Sequence, residues 1–475
     1  MNVLKMTVTP LLAALILAGC SSTPVLKAPM VPVPAAFKEA AQQAVAADGS
    51  VWKVAQPAES QARGEWWLAF HDPVLNDLIG QATEANAQLA VAAARVKQAR
   101  AIAGIAASER SVQVGAGIGA QRGGNPTQPA ATTYQGQLTA SYEVDLFGRV
   151  GANVSAAQAD ADASSATYRS VLLSLQADVA QTYYRIRSTD AELGTLAKAT
   201  DLRAQSVKVN QSRFDNGDIG EFDLVRAKTE LAAARAEEIG LQRQRATLEH
   251  ALAVLLGKPA AAFSAGANPL LDVAALPVIP AGLPSALLER RPDVTAAQRA
   301  MVASNARIGV ARAAMFPALG LSAAGGGESV ALSNILKMSG HSWLLGALLS
   351  MPVIDGGRNK ANIARSEAVL EESVAAYRQN VLVAFAEVED NLAGLRILAG
   401  QSEQVDAGVV YARRSADLAQ KLYAAGRSSY LDLLDAQRNL AAAERNAAQL
   451  RGNQAVTTVA LIRSLGGGWD GKPAG

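Results

Sequence analysis

The sequence predicts a mixed α and membrane-β chain in which one unit, helix, strand, strand, helix, is used twice. Two stretches match in register about 209 residues apart: Gly148-Arg149 and Asn153 return as Gly357-Arg358 and Asn362, Tyr168-Arg169 as Tyr377-Arg378, Arg187 as Arg396, Phe214 and Gly217 as Tyr423 and Gly426, and Leu256-Gly257 as Leu465-Gly466. Each copy also holds a proline-free run of about 66 residues with helical apolar spacing, on the order of 100 Å at about 1.5 Å per residue. Each copy further carries a pair of alternating segments of about ten residues, the length of a membrane-crossing β-strand. Half of the 475 residues are hydrophobic and only 5% are aromatic, a balance that suits closely packed long helices.

The chain opens with Lys5, an apolar run from Leu11 to Leu17, and Ala18-Gly19-Cys20. This is the layout of a secretory signal, too short for a spanning helix. Leu17-Ala18-Gly19-Cys20 resembles the bacterial lipobox, which implies removal of residues 1–19 and a diacylglycerol plus an N-acyl chain on Cys20. Three acyl chains exceed what stable anchoring requires. Ser21 in place of Asp after the cysteine resembles the pattern sorted to the outer membrane. A core cysteine is the alternative. Cys20 is the only cysteine, so disulfides and thiolate metal sites are excluded. Residues 20–64, with Pro24, Pro29, Pro32 and Pro34, read as a lipid anchor and extended tether.

The first repeat, 65–276, begins at Trp66-Trp67, Phe70 and Asp72-Pro73, and its spacing predicts one helix from Leu75 to about Arg110. Strands are expected within about 111–145. Val112, Val114, Ala116, Ile118 and Ala120 alternate with Ser111, Gln113, Gly115, Gly117, Gly119 and Gln121. A loop is expected at Asn125-Pro126 and Pro129, after which Tyr134, Leu138, Ala140, Tyr142 and Val144 face opposite Gln135, Gln137, Thr139, Ser141 and Glu143. The long helix, about 150–215, carries a stripe of Leu172, Leu175, Val179, Tyr183 and Ile186, ends at Gly217, and is followed by a helix over about 221–256.

Pro277, Pro280 and Pro284 lead into the second repeat, 277–466. Its strands are expected within about 315–354, with Leu319, Leu321 and Ala323, then Trp343, Leu345, Ala347, Leu349, Met351 and Val353, on one face. Its long helix, about 359–424, uses Val381, Phe385, Val388, Leu392 and Leu395 and ends at Gly426. Residues 467–475 form a tail. Four strands cannot close a membrane barrel, which begins at about eight, so a spanning reading forces oligomerisation. An edge of a soluble sandwich is the alternative.

Lys plus Arg (44) balances Asp plus Glu (42), so no basic field invites nucleic acid. Gly115, Gly117 and Gly119 lie inside an alternating strand rather than at a dinucleotide loop, and no P-loop pattern occurs. His71, His250 and His341 have no metal-ligand spacing, and no Ser/His/Asp arrangement stands out. The expectation is a chain that is no enzyme and binds no metal or cofactor, the covalent lipid apart.

With these residues in hand, Trp66-Trp67 through Asp72-Pro73 and Leu75, Tyr142 through Asp145 with Gly148-Arg149, Arg291-Pro292-Asp293, Phe316-Pro317, Gly356-Gly357-Arg358 and Leu433-Leu434-Asp435-Ala436-Gln437-Arg438 together resemble the TolC-like outer membrane factors. The lipobox places the chain in their lipoprotein branch, the outer-membrane channels of bacterial RND-type efflux systems. That resemblance implies a homotrimer closing one 12-stranded outer-membrane barrel and one periplasmic α-helical barrel. It implies a passive exit duct for small toxic compounds or drugs, loaded by an inner-membrane efflux transporter through a periplasmic adaptor protein. A duct for a protein-secreting exporter and a periplasmic coiled-coil scaffold lipoprotein are the competing readings.

The same resemblance makes the turns at Gly217 and Gly426 the periplasmic tips that close the duct and meet the adaptor. Asp432, Asp435 and Arg438 are spaced three apart and share one helix face, which by itself suits a solvated intrahelical ion pair. Asp223 repeats Asp432, but Arg226 stands at the place of Asp435 and Thr229 at that of Arg438. The expected gate is Asp435, Arg438 and Tyr423 bonding between helices, with Leu431 narrowing the lumen. Three copies of the Asp435 carboxylate near an axis would favour cations.

Overall fold

A computed structural model describes residues 22–26, 34, 36–39, 65–126, 128–273, 276–277, 279, 290–335 and 341–467. The signal segment 1–19, Cys20, Pro280, Pro284 and the tail beyond 467 lie outside the described residues. The elements are α1 (Pro73–Ala85), α2 (Ala87–Ser108), β1 (Gln113–Asn125), β2 (Gln128–Val144), α3 (Arg149–Asp215), α4 (Glu221–Leu255), α5 (Pro292–Ala313), β3 (Ala318–Ser329), β4 (His341–Ser350), α6 (Arg358–Ala424) and α7 (Tyr430–Ser464). The duplication is accurate in the helices: α3 and α6 each have 67 residues, α4 and α7 each have 35.

Three expectations are corrected. The helix expected from Leu75 to about Arg110 is two helices, because Asn86 is extended (φ −69°, ψ 123°) and its side chain caps α2 by accepting from Leu89 N at 3.0 Å. Its amide also donates to Leu255 O at 2.9 Å, so the break is held from the end of α4. The loop expected through Pro129 is shorter, since β2 resumes at Gln128. Pro129 sits near the strand start, beside the bulge between Gly123 and Asn125, where a missing N–H is tolerated. Met351 and Val353 lie beyond β4, which ends at Ser350.

The chain packs as two compact units. The first comprises Met1–Val31, Ala93–Thr167 and Asp293–Asn380 and contains an antiparallel sheet in the order β1-β2-β3-β4. Its register aligns Ala116, Leu138, Gly325 and Trp343 across all four strands, and likewise Val114, Ala140, Ala323 and Leu345. The apolar residues expected on one face therefore share it. Gln113, Ser141, Ser322 and Gly346 align on the other. The apolar face is bare: Ile118 is 88% and Trp343 79% exposed. Among the described residues β1 and β4 each pair on one side only, leaving two open edges.

Carboxylates at the strand ends start the long helices. Asp145 accepts from Val150 N (3.0 Å) and Gly151 N (2.7 Å), and Asp355 from Gly357 N (2.9 Å) and Asn359 N (2.9 Å), which holds the Asp355 carboxyl below its ordinary range. The rings of Phe147 and Phe316 stack at 4.7 Å across the links into α3 and β3.

The second unit comprises Pro32–Ala92, Tyr168–Pro292 and Val381–Gly475 and holds the main core, with Leu75, Ile79, Val179, Leu252, Leu256 and Val459 fully buried. Asp72 ties this core together. One oxygen caps α1 through Val74 N and Leu75 N; the other accepts from Arg187 Nη1 (2.8 Å) and Tyr183 Oη (2.9 Å). Burial pushes the Tyr183 phenol up to about 12.

In the second repeat Arg396, the counterpart of Arg187, finds its acid in the N-terminal segment: its Nη2 lies 2.7 Å from Glu39. Glu389 accepts from the backbone N–H groups of Lys38 (2.7 Å) and Glu39 (2.9 Å), and Phe37 is buried. The Arg396 hydrogen bond holds the Glu39 carboxyl below its ordinary 4.5. A lowered folded-state value means the contact is complete above about 4.5 and is lost as pH falls through the lowered value. Hydrogen-exchange protection at 36–39, corrected for the intrinsic slowing of exchange in acid, should therefore fall on acidification below pH 4.5 in the native protein and be low at every pH in Arg396→Ala.

Candidate functional site

All residues expected at the tip fall in the second unit. Each long helix ends on a glycine of positive φ, Gly217 at +78° and Gly426 at +69°. In both turns the chain doubles back by the same pair of bonds, Gly217 N to Phe214 O with Asp218 N to Arg213 O, and Gly426 N to Tyr423 O with Arg427 N to Leu422 O. A left-handed glycine closing the last helical turn through these bonds explains why the residue type is needed there.

Beyond the turn the repeats differ. α7 begins with a reciprocal cap: Ser429 Oγ accepts from Asp432 N, and Asp432 accepts from Ser429 N at 3.0 Å, with its carboxyl held low by the Ser429 bonds. α4 has Gly220 at its N-cap, which offers no side chain. Asp432 is therefore a cap rather than a partner of Arg438.

Tyr423 links the two long helices. Arg213 Nη1 donates to its hydroxyl at 3.0 Å, and the hydroxyl donates to Asn210 Oδ1 at 3.1 Å; Asn210 is only 1% exposed. The Tyr423 ring lies 5.9 Å from that of Tyr430, and Val207, Ala227, Tyr430 and Leu434 complete a small core drawn from α3, α4, α6 and α7. Burial raises the Tyr430 phenol, with Glu230 adding to it.

Arg438 crosses from α7 to α4, where its Nε donates to Glu230 at 3.0 Å and its Nη2 takes the other oxygen. One heptad on, Arg445 pairs with Glu237, and it also reaches Glu192 on α3 at 3.2 Å. Asp435 is exposed and makes no hydrogen bond or ion pair among the described residues, and Leu431 is 46% exposed. Tyr423 and Arg438 thus each bond between helices, Asp435 stands apart from both, and Asp435 and Leu431 are presented outward. Arg213, Asn210 and Glu230 were not anticipated from sequence. The one available signal was the matched seven-residue spacing of Glu230 with Glu237 and of Arg438 with Arg445.

Cys20 lies outside the described residues. Among them no group of His, Cys, Asp and Glu is arranged to hold a metal ion, and no helix is long and apolar enough to cross a membrane.

A bare four-stranded sheet whose strands run into helices of 67 residues, with paired turns at their far ends, defines a channel-wall subunit. The comparisons give the family: residues 78–258 and 283–467 match the outer membrane efflux protein model, and the chain belongs to that family. It is similar to the solvent efflux pump outer membrane protein SrpC of Pseudomonas putida, 33% identical over 478 residues, covering 98% of this chain and 99% of that one. Among solved structures it is similar to a membrane protein from Pseudomonas aeruginosa (TM-score 0.83, 30% identity, 96% and 99% covered). The open state of the MtrE outer membrane channel of Neisseria gonorrhoeae is also similar (TM-score 0.81, 27% identity, 94% and 98% covered). The chain is an outer-membrane efflux channel protein.

Replacing Tyr423 by Phe removes the one hydroxyl shared by Arg213 and Asn210. A buried group left unpaired costs about 1–3 kcal/mol. Amides flanking Gly426 should exchange faster in Tyr423→Phe while those of α1 are unchanged.

Proposed function

We propose that three copies of this chain close a 12-stranded barrel and serve as a passive outer-membrane exit duct for small toxic or apolar compounds. An inner-membrane pump delivers them through a periplasmic adaptor. The observation that carries this reading is the four-stranded sheet with an exposed apolar face and two open edges. A barrel has no edges, four strands are too few to close one, and three copies supply twelve. The relatives' names speak for the cargo: SrpC is a solvent efflux protein and a second relative from P. putida, TtgF, a toluene efflux protein.

In this reading Cys20 carries diacylglycerol and an N-acyl chain, the turns at Gly217 and Gly426 meet the adaptor, and Tyr423, Leu431, Asp435 and Arg438 form the gate. The bonds of Tyr423 and Arg438 support the closed arrangement. The free Asp435 carboxylate suits a ring of three near the axis, which would select cations. The chain performs no catalysis.

Purified protein in planar bilayers should run as a heat-labile trimer and conduct with cation preference, and Asp435→Ala should give larger or more frequent openings with weaker preference. A monomer without conductance would establish the scaffold reading instead. Deletion should sensitise cells to solvents and drugs; arrest of a secreted polypeptide without sensitisation would point to protein export.

A further inference from the structure

We propose that the face of α5 bearing Asn305 and Gly309 is a docking seat for the chain's own segment Ser22 to Pro24, tying the acylated residue to the junction between strand and helix. Three successive residues are gripped. The Ser22 hydroxyl lies 2.8 Å from Phe147 O and 3.0 Å from Gly309 O and donates to them as one shared bond. Thr23 packs onto Gly309 so closely that a Cβ there would lie 2.1 Å from its Oγ1 and 3.0 Å from its Cβ. Asn305, itself 7% exposed, donates from Nδ2 to Pro24 O at 2.9 Å. Val25, next in the chain, is 90% exposed, so the grip ends there.

Asn305 and Gly309 are four apart and therefore neighbours on one helix face. Glycine inside a helix is less favourable than alanine. Its presence at 309 has a physical reason only if another group needs the space of the missing Cβ, and Thr23 fills that space. Gly148, at φ +75°, lies beside the same segment, where a Cβ would make ordinary contact with Ser22 Oγ at 3.8 Å.

Phe147 lies between the end of β2 at Val144 and the start of α3 at Arg149. One residue, Ser21, separates Ser22 from Cys20, and two Cα–Cα steps span at most about 7 Å. The acyl chains are thereby attached beside the end of the sheet from which the helices depart, where the apolar face stops. A free tether would leave anchor and sheet to find the membrane independently; the seat couples their depth. This consequence rests on acylation of Cys20, while the seat itself does not.

Thiol labelling in isolated outer membranes tests the seat, because an acylated Cys20 leaves an introduced cysteine as the only free thiol. Thr23→Cys should react with a bulky maleimide at least tenfold more slowly than Val25→Cys. Adding Gly309→Ala, which favours the helix but fills the seat, should bring the two rates within twofold. Equal rates without the alanine, or a Thr23→Cys that stays slow with it, would overturn the seat. Mass spectrometry of the N-terminal peptide from the same membranes reads the anchor separately: an unmodified residue 20 would overturn the coupling of lipid to sheet, whatever the labelling shows.

Discussion

The constraint on which the rest of this structure depends is that its sheet cannot be satisfied within one chain. Among the described residues β1 and β4 each leave a row of backbone N–H and C=O groups unpaired, and the face carrying Ile118, Leu138 and Trp343 is bare. In water such a sheet invites aggregation; in hydrocarbon its edges are prohibitively costly. Closure with other copies removes both problems at once. In the proposed trimer the same closure would organise the helices, because each strand pair feeds a long helix through a carboxylate cap, Asp145 or Asp355. Where the strands go, the helices must follow.

Duplication supplies two such helices, and their lengths agree to the residue. What has diverged is how each repeat is pinned at its ends. Arg187 takes its acid from Asp72 at the start of α1, whereas Arg396 takes Glu39 from the N-terminal segment. Arg149 is held by Glu143 at 2.7 Å and Glu109 at 3.4 Å. Its counterpart Arg358 makes no ion pair among the described residues and is exposed. The N-terminal segment is therefore part of the second repeat's framework, a role that its proline content alone does not convey.

Much of this was readable beforehand, for definite reasons. Alternation with a period of two fixes which residues share a face, so the apolar set from Val114 to Leu349 could be written down before any register was known. Glycines closing proline-free runs bounded the long helices within a residue or two. The break at Asn86 was not readable, because asparagine fits a helix interior in sequence and caps only when its side chain turns back on Leu89. Pro129 misled in the opposite direction, since a strand tolerates proline near its start. At the tip, Asp432, Asp435 and Arg438 were legible as one face but not as three separate jobs. The partner of Arg438 lies on another helix, and its one trace in the sequence is the seven-residue spacing that Glu230 and Glu237 share with Arg438 and Arg445.

The unequal tips carry the last step of the argument. The second repeat's turn has a reciprocal cap at Ser429 and a tyrosine bonded across to α3; the first has Gly220 and Phe214 in the equivalent places. In the proposed trimer, movement at the tips would separate α6 from α3 and α7 from α4, breaking the Tyr423 and Arg438 bonds in each copy. An exposed pair such as Arg438 with Glu230 contributes about 0.2–1 kcal/mol, and a hydrogen bond of the Tyr423 type about 1 kcal/mol. Three copies together resist by only a few kcal/mol. In that trimer it would be enough to keep a closed state dominant, and it is comparable with the roughly 5.5 kcal/mol of differential binding that inverts a 1:99 population. A gate built from weak bonds in triplicate is one that a docking partner can open without unfolding any part of the wall.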